Sequence, residues 1–217
     1  MLVGKRMSSP AITVIPGTSM QEALDLMNAK NIRRLPVVDK NGNLIGIVSE
    51  RELLKASPSD ATTLSRWEIN TMLLQITVDK LMTKDVLTVT EETPLEEAAK
   101  IMADQNISGL PVVRGSKVVG IIAETDIFNI FLEILGAREE GILLSTHVPK
   151  KPGTLFNITK SIYESGGDIV SLGTFQTKSS EYGEVTVKVR GLDLATLKEA
   201  VEPYVLEILD ARETQQS

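Results

Sequence analysis

The first half of the chain carries two amphipathic helix patterns, each followed by the same run of four residues. In each pattern apolar side chains recur at i, i+3, i+4 and i+7, which predicts a helix with one buried stripe. Leu-Pro-Val-Val follows both patterns, at residues 35–38 and 110–113, and predicts a buried strand. The stripe positions are Met20, Ala23, Leu24 and Met27 in one pattern and Leu95, Ala98, Ala99 and Met102 in the other.

An internal repeat explains why the two patterns look alike. Residues 7–38 align with residues 82–113 without a gap. Each copy predicts the order β-α-β-β-α, with a second helix that begins near Glu50 or Glu124. Stacked copies of one unit usually bury a shared face, and the cleft between them is a natural place for a ligand. The predicted first strands are Ala11–Val14 and Val86–Val89, and the return strands are Leu44–Ser49 and Val118–Ala123.

Helix-start signals precede both first helices. Thr18 stands three residues before Gln21, and Thr93 stands three residues before Glu96, which is the spacing of a capping box. Pro94 suits the first helical position. These signals predict capping boxes at Thr18 and Thr93.

The rest of the chain does not repeat this pattern. Residues 57–77 predict a linker in which residues 64–75 form a helix. After Gly141 the predicted order is β-α-β-β-α-β, the ferredoxin-like split arrangement, and the fold class is α+β (an α/β sandwich). The elements predicted there are the strands Ile142–Thr146, Ile169–Thr177, Glu184–Arg190 and Val205–Ala211 and the helices Thr154–Glu164 and Leu194–Val201.

Composition narrows the classes of function. The 217-residue chain is 42% hydrophobic and 24% charged, with a formal net charge of −6. This acidic balance disfavours nucleic-acid binding, because such proteins usually present a basic face. No run approaches about 18 apolar residues, and no apolar run follows the basic N-terminal residues, so we expect neither a membrane span nor a secretory signal. The lack of cysteine excludes disulfides and thiolate metal sites and suits a cytoplasmic location.

Signatures of catalysis are missing from the sequence. It contains no G-x-S-x-G, no Walker-type phosphate loop and no G-x-G-x-x-G. His147 is the only histidine, and one histidine without cysteines cannot form a usual structural zinc site. We therefore expect no enzymatic activity, no metal site and no required cofactor.

The two repeats resemble cystathionine-beta-synthase (CBS) domains. The resemblance is carried by the Met-x5-Thr-Val openings, the Ala-x3-Met helices, Asn-Ile-x2-Leu-Pro-Val-Val, and Gly-Ile-x2-Glu before each second helix. The last part is similar to ACT domains in its order of elements and in its Lys-Lys-Pro-Gly-Thr-Leu and Gly-Gly-Asp-Ile segments. Such a combination is similar to the AcuB proteins linked with acetoin utilisation. It implies CBS repeat 1 at 1–56, a linker at 57–77, CBS repeat 2 at 78–136 and an ACT-like domain at 140–212.

The resemblance implies a regulatory function. The expected ligand is AMP, ADP, ATP or another adenosyl compound, bound in the cleft between the repeats and connected with acetoin or carbon metabolism. The chain is expected to form a homodimer through its two second helices, at Glu50–Ala56 and Glu124–Leu135, and to regulate a protein partner. One alternative is a scaffold that binds no ligand, dimerises and recruits a partner protein. The other is an unrecognised hydrolase.

The start of each second helix carries the implied site residues. In CBS domains an acidic residue there accepts hydrogen bonds from ribose hydroxyls, and the preceding hydroxyl residues and the helix start meet phosphate. Asp126, with Thr125 before it, occupies this position in the second repeat, and Glu52, after Ser49, occupies it in the first. A purely local role is the alternative, because acidic residues are favoured in the first helical turn. We expect the better site at Asp126, since Glu52 departs from the usual Asp.

The resemblance also implies that each site borrows a wall from the other repeat. Arg33, and in second place Arg34, is expected to contact a nucleotide phosphate, which suits a guanidinium group, and an ordinary surface or dimer salt bridge is the alternative. The expected wall of the Asp126 site consists of Met7, Ile12, Ile32 and Arg33, with Ser108 from its own repeat. Met82, which aligns with Met7, is a further candidate ligand-binding residue.

Overall fold

The structure is a computed structural model that describes residues 1–56 and 74–214. Its mixture of helices and strands confirms the predicted α+β class. The chain forms two compact units, Met1–Ile127 and Phe128–Ser217. The predicted domain boundaries stay a prediction. Of the helix predicted over residues 64–75, only Leu74 and Gln75 belong to the described residues, and both are helical.

Each repeat consists of an antiparallel hairpin between two helices. The hairpins place Leu35 opposite Val48 and Leu110 opposite Ile122, and all four side chains are buried. Repeat 1 contains α1 (Met20–Lys30), β1 (Arg34–Val38), β2 (Leu44–Ser49) and α2 (Glu50–Ala56), and repeat 2 contains α3 (Leu95–Gln105), β3 (Gly109–Arg114), β4 (Lys117–Ala123) and α4 (Glu124–Ile134).

The first strand predicted in each repeat is reduced to a single bridge in the structure. Val14 forms a single parallel bridge with Val37, and Val89 forms the equivalent bridge with Val112. The apolar runs therefore contribute one buried valine each rather than a regular strand.

The opening segment of each repeat pairs with the return strand of the other repeat. Ser8 pairs with Ile121 of β4, and Thr83 pairs with Ile47 of β2, each through two backbone hydrogen bonds of 2.9–3.0 Å. This exchange connects the two copies through main-chain contacts. It also carries the first residues of each repeat to the start of the other repeat's second helix.

The capping boxes predicted at Thr18 and Thr93 are wrong. Ser19 is the N-cap of α1, its hydroxyl accepts from the N–H of Glu22, and the Glu22 carboxylate accepts from the Ser19 N–H. The true box therefore lies one residue later than predicted. In the second repeat Pro94 is the N-cap, and a proline has no N–H with which to complete a box.

The second unit confirms the predicted ferredoxin-like topology. Its elements are β5 (Gly141–Pro149), α5 (Thr154–Glu164), β6 (Asp168–Phe175), β7 (Tyr182–Arg190), α6 (Leu194–Val201) and β8 (Glu207–Thr214). The sheet has the strand order β6-β7-β5-β8 with antiparallel pairing throughout, and α5 and α6 contribute to its core. Buried residues alternate along β5, as expected when one sheet face packs on helices.

Candidate functional site

The carboxylate at the start of α2 is engaged by its own neighbours. Glu52 Oε2 accepts hydrogen bonds from the backbone N–H and from the hydroxyl of Ser49, both at 2.7 Å. The Glu52 N–H donates back to Ser49 Oγ at 3.3 Å, which completes a capping box. Thr83 Oγ1 donates to Glu52 Oε1 at 2.9 Å. A carboxylate offers about four acceptor positions, and Glu52 has three of them occupied.

The equivalent carboxylate at the start of α4 has more free capacity. Asp126 Oδ2 accepts one hydrogen bond, from the backbone N–H of Ala123 at 2.8 Å. Ala123 stands where repeat 1 has Ser49 and has no hydroxyl to donate. Within the described part of the chain, Asp126 Oδ1 has no hydrogen-bond partner. The two clefts therefore differ in the acceptor they offer to a ligand.

A cavity of about 850 Å³ lies between the repeats, next to Glu52. It is called the Glu52 cavity below. Residues of both repeats line it, because the Thr83 segment pairs with β2. The lining residues that bear on function are Ile32, Arg33, Arg34, Ser49, Glu50, Arg51, Glu52, Lys55, Thr83, Asp85, Ser108 and Gly109.

The site residues expected from the sequence fall into two groups. Ile32, Arg33, Ser49, Glu52 and Ser108 all line the Glu52 cavity. The remaining ones, which do not line this cavity, are Met7, Ile12, Met82, Thr125 and Asp126.

The second group divides further by position. Met7 precedes Ser8, which pairs with β4, so Met7 lies on the α4 side; its sulfur lies against Gly120. Ile12 and Met82 pack against the core of repeat 1. Asp126 is half-buried and Thr125 is exposed, both in the first turn of α4.

Arg34 crosses from one repeat to the other. Its Nη1 donates to the backbone oxygen of Ser108 at 2.9 Å, and its side chain lies 3.4 Å from where a Cβ on Gly109 would be. Gly109 is the residue aligned with Arg34, so only one of the two copies carries a side chain here. Burial lowers the pKa of Arg34, the neighbouring Glu124 and Glu52 carboxylates raise it, and Arg33 lowers it.

Sequence reasoning missed several lining residues, among them Thr83, Arg51 and Lys55. Thr83 reaches Glu52 only because the opening of repeat 2 pairs with β2, a contact between distant parts of the sequence. In the sequence, Arg51 and Lys55 look like ordinary polar positions of a short helix. Their proximity to Arg33 and Arg34 around one cavity is visible only in the structure.

Comparison with known proteins matches the repeats to a family. The sequence model described as the CBS domain matches residues 3–59 and 78–133. A CBS domain-containing protein of Dictyostelium discoideum is 33% identical over 135 residues, which are 62% of this chain and 93% of that protein. The L-aspartate semialdehyde sulfurtransferase of Methanocaldococcus jannaschii is 34% identical over 60% of this chain, but the match spans only 23% of the enzyme.

Solved structures of CBS pairs are similar to the same part of the chain. A putative acetoin utilization protein (AcuB) from Vibrio cholerae is 32% identical over 64% of this chain and 96% of that chain, with a TM-score of 0.53. A CBS domain pair in complex with 5′-methylthioadenosine and S-adenosyl-L-methionine is 33% identical over 60% and 95%, with a TM-score of 0.51. CBSX2 in complex with AMP is 32% identical over 61% and 97%, with a TM-score of 0.52.

Proposed function

Because this chain belongs to the CBS-domain family, with two copies of the domain in tandem, we propose that it is a regulatory protein that binds an adenosine-containing ligand between its repeats. The similar pairs in complex with AMP, with 5′-methylthioadenosine and with S-adenosyl-L-methionine support this ligand class. A ligand of this kind regulates when it binds two conformations of the protein with different affinity.

The free carboxylate oxygen of Asp126 is the observation that carries this proposal. A ribose diol presents two hydroxyl donors, and Asp126 has about three of four acceptor positions open. Thr125 and the first turn of α4 lie beside it and supply polar groups for the rest of the ligand. Of the wall residues expected from the sequence, Met7 lies on the same side as Asp126, against Gly120 of β4. Ile32, Arg33 and Ser108 line the Glu52 cavity instead, and Ile12 packs on the core of repeat 1.

The biological setting is part of the same proposal. Similarity to the Vibrio cholerae AcuB protein supports a function in acetoin or other carbon metabolism. We place the protein in the cytoplasm, with a regulated protein as its partner, and assign the C-terminal unit to the ACT type on its ferredoxin-like sheet. In the described ranges, none of the helices is long and apolar enough to cross a membrane.

A ligand panel tests the proposal. Thermal unfolding of the full chain is measured with AMP, ADP, ATP, S-adenosylmethionine and 5′-methylthioadenosine, each at millimolar concentration. A ligand that binds only the native state raises the apparent stability by mass action, by about 2.7 kcal/mol at a hundred times its Kd. We expect a shift with at least one of these ligands and none with ribose 5-phosphate, whereas no shift with any of them would exclude the sensor function.

Exposed apolar side chains favour a second function, that of a dimerising scaffold. Phe128 and Phe131 of α4 are 62% and 50% exposed, and Leu54 of α2 is 55% exposed. Apolar groups on exposed helix faces commonly mark association surfaces. We propose a homodimer through these helices in either case. The scaffold function is the correct one if the chain dimerises in solution while the whole panel fails to bind.

A further inference from the structure

We propose that Lys188 is a positioning residue for the Asp126 site, because it holds the C-terminal end of the helix whose first turn contains Asp126. This inference rests on the proposed function at Asp126, and it makes ligand affinity depend on a residue outside the CBS repeats. Three observations carry it, namely the few buried residues of α4, the turn that ends α4, and the side chains that bind this turn.

Burial within one chain holds α4 only weakly. Ile130 is the single buried residue of this eleven-residue helix, whereas α3, a helix of the same length, buries three. The buried residues of α3 are Leu95, Ala98 and Met102. A helix of this length is marginally stable by itself in water, so its order depends on the contacts that it makes. The contacts at the two ends of α4 are therefore important for holding it in place.

A Schellman motif ends α4. The Gly136 N–H donates to the Glu133 oxygen at 3.0 Å, and the Ala137 N–H donates to the Leu132 oxygen at 2.9 Å. Gly136 has a φ of +58°, a conformation that suits glycine. This turn satisfies two carbonyl groups of the last helical turn, and it leaves the carbonyl groups of Leu135 and Gly136 to find donors elsewhere.

Side chains of β6 and β7 supply these donors. Lys188 Nζ donates to the backbone oxygens of Gly136 and Glu139, both at 2.7 Å. Ser171 Oγ donates to the backbone oxygen of Leu135 at 2.9 Å. Because Lys188 is only 2% exposed, little water competes for these bonds, and a lysine at the C-terminal end of a helix also interacts favourably with the helix dipole. The end of α4 is therefore fixed to β6 and β7.

The same helix carries Asp126 in its first turn. Asp126 and Gly136 are about 15 Å apart along the helix axis, at a rise of about 1.5 Å for each residue. Releasing the C-terminal end allows a weakly buried helix to tilt or fray, and the first turn then spends less time in the conformation that binds the ligand. The apparent affinity falls by that fraction. By linkage, a ligand on Asp126 should in turn strengthen the contacts of Lys188.

Isothermal titration of the full chain with AMP and with S-adenosylmethionine tests this dependence. We expect Lys188→Met to weaken the binding of a probe that wild-type protein binds by about fivefold or more, the lower end of the usual coupling between two sites. Ser171→Ala removes only the bond to Leu135 and should weaken binding in the same direction but less. Lys198→Met, at an exposed position of α6, is the matched control and should bind as wild-type protein does. Thermal unfolding without ligand verifies that each variant is folded.

Hydrogen exchange without ligand separates positioning of α4 from a general effect on the sheet. The amides of residues 128–131 bond to the carbonyl groups of residues 124–127, the first turn of α4. We expect Lys188→Met to raise the exchange rates of these amides by about fivefold or more, and by a larger factor than those of α5, whose buried residues belong to the core of the same sheet. If Lys188→Met does not fold, Ser171→Ala takes its place in both measurements.

The two measurements also distinguish this inference from the proposed function. The positioning role is overturned if Lys188→Met binds the probe with wild-type affinity, or if exchange at residues 128–131 rises no more than exchange in α5. If neither probe binds wild-type protein, the proposed function at Asp126 fails, while faster exchange at residues 128–131 still shows that Lys188 positions the first turn of α4.

Discussion

Asp126 and Ala123 are joined by one hydrogen bond of 2.8 Å, from the alanine N–H to the aspartate Oδ2. In the other repeat the same positions are Ser49 and Glu52, and three hydrogen bonds join them. This difference leaves Asp126 with open acceptor positions and gives Glu52 a local structural role. The two helix starts of one duplicated fold therefore differ in the hydrogen-bond acceptors that they leave open.

Replacing Ala123 with serine should rebuild the missing half of the cap. The new hydroxyl can bond Asp126 as Ser49 bonds Glu52, and a serine at a helix start is about 1 kcal/mol more favourable than alanine. We expect Ala123→Ser to raise the free energy of unfolding by about that amount, measured by urea denaturation. Ser49→Ala is the matched variant and should lower it similarly, and an unchanged stability in both would contradict the assignment of these contacts.

The absence of a side chain at Gly120 is a packing requirement. A Cβ there would lie 2.5 Å from the sulfur of Met7 and 3.0 Å from the backbone oxygen of Ser8. We expect Gly120→Ala to destabilise the protein by about 1–3 kcal/mol, as overpacking does. Gly17→Ala is the control, because no atom lies within 4 Å of the added group. Equal effects at both positions would show that the opening of repeat 1 does not pack on β4.

Lys188 secures the segment that follows α4. It is only 2% exposed, and its Nζ donates to the backbone oxygens of Gly136 and Glu139, both at 2.7 Å. Lys188→Met keeps the length of the side chain but leaves both oxygens without this donor. We expect a loss of about 1–3 kcal/mol in denaturant unfolding. Lys198→Met, at an exposed position of α6, is the control and should change stability by less than about 0.5 kcal/mol. A change that small in Lys188→Met would show that the two hydrogen bonds of Lys188 do not stabilise the fold.

The capping box of α1 predicts a specific acid dependence. Hydrogen bonds from the Ser19 N–H and hydroxyl hold the pKa of Glu22 below its ordinary value of 4.5. A carboxylate with a lowered pKa in the folded state contributes stability that is present above pH 4.5 and is lost as the pH falls through the folded pKa. The wild-type Tm should therefore drop more than that of Glu22→Gln between pH 6 and pH 3. Parallel Tm curves for the two proteins would contradict this linkage.

Most of the fold could be predicted from local patterns. The helices Thr154–Glu164 and Leu194–Val201 and the strand Leu44–Ser49 agree with the structure to the residue, because their periodicity and end signals coincide. The capping box predicted for α1 lies one residue before the true one, and the box predicted for α3 is absent. Thr18 and Ser19 are both good caps, with Gln21 and Glu22 in matching places, so sequence spacing alone cannot choose between them.

The site could be located from the repeat but not characterised. Aligning the copies placed Glu52 and Asp126 at equivalent helix starts, which the structure shows as well. The bonds between Ser49 and Glu52 are local, whereas the bond from Thr83 to Glu52 depends on the pairing of Thr83 with β2 and is visible only in the structure. The grouping of Arg33 and Arg34 with Arg51 and Lys55 around one cavity likewise requires α2 to lie beside the start of β1.

The central claim is that Asp126 binds the ribose of an adenosyl ligand while Glu52 does not. Isothermal titration of the most stabilising ligand of the panel into wild-type, Asp126→Ala and Glu52→Ala proteins tests it most directly. Asp126→Ala should lose at least about tenfold in affinity, since two hydrogen bonds to a charged group are removed. Glu52→Ala should bind the ligand with unchanged affinity although it unfolds more easily. Unchanged binding in Asp126→Ala, or loss of binding in Glu52→Ala alone, would contradict the account.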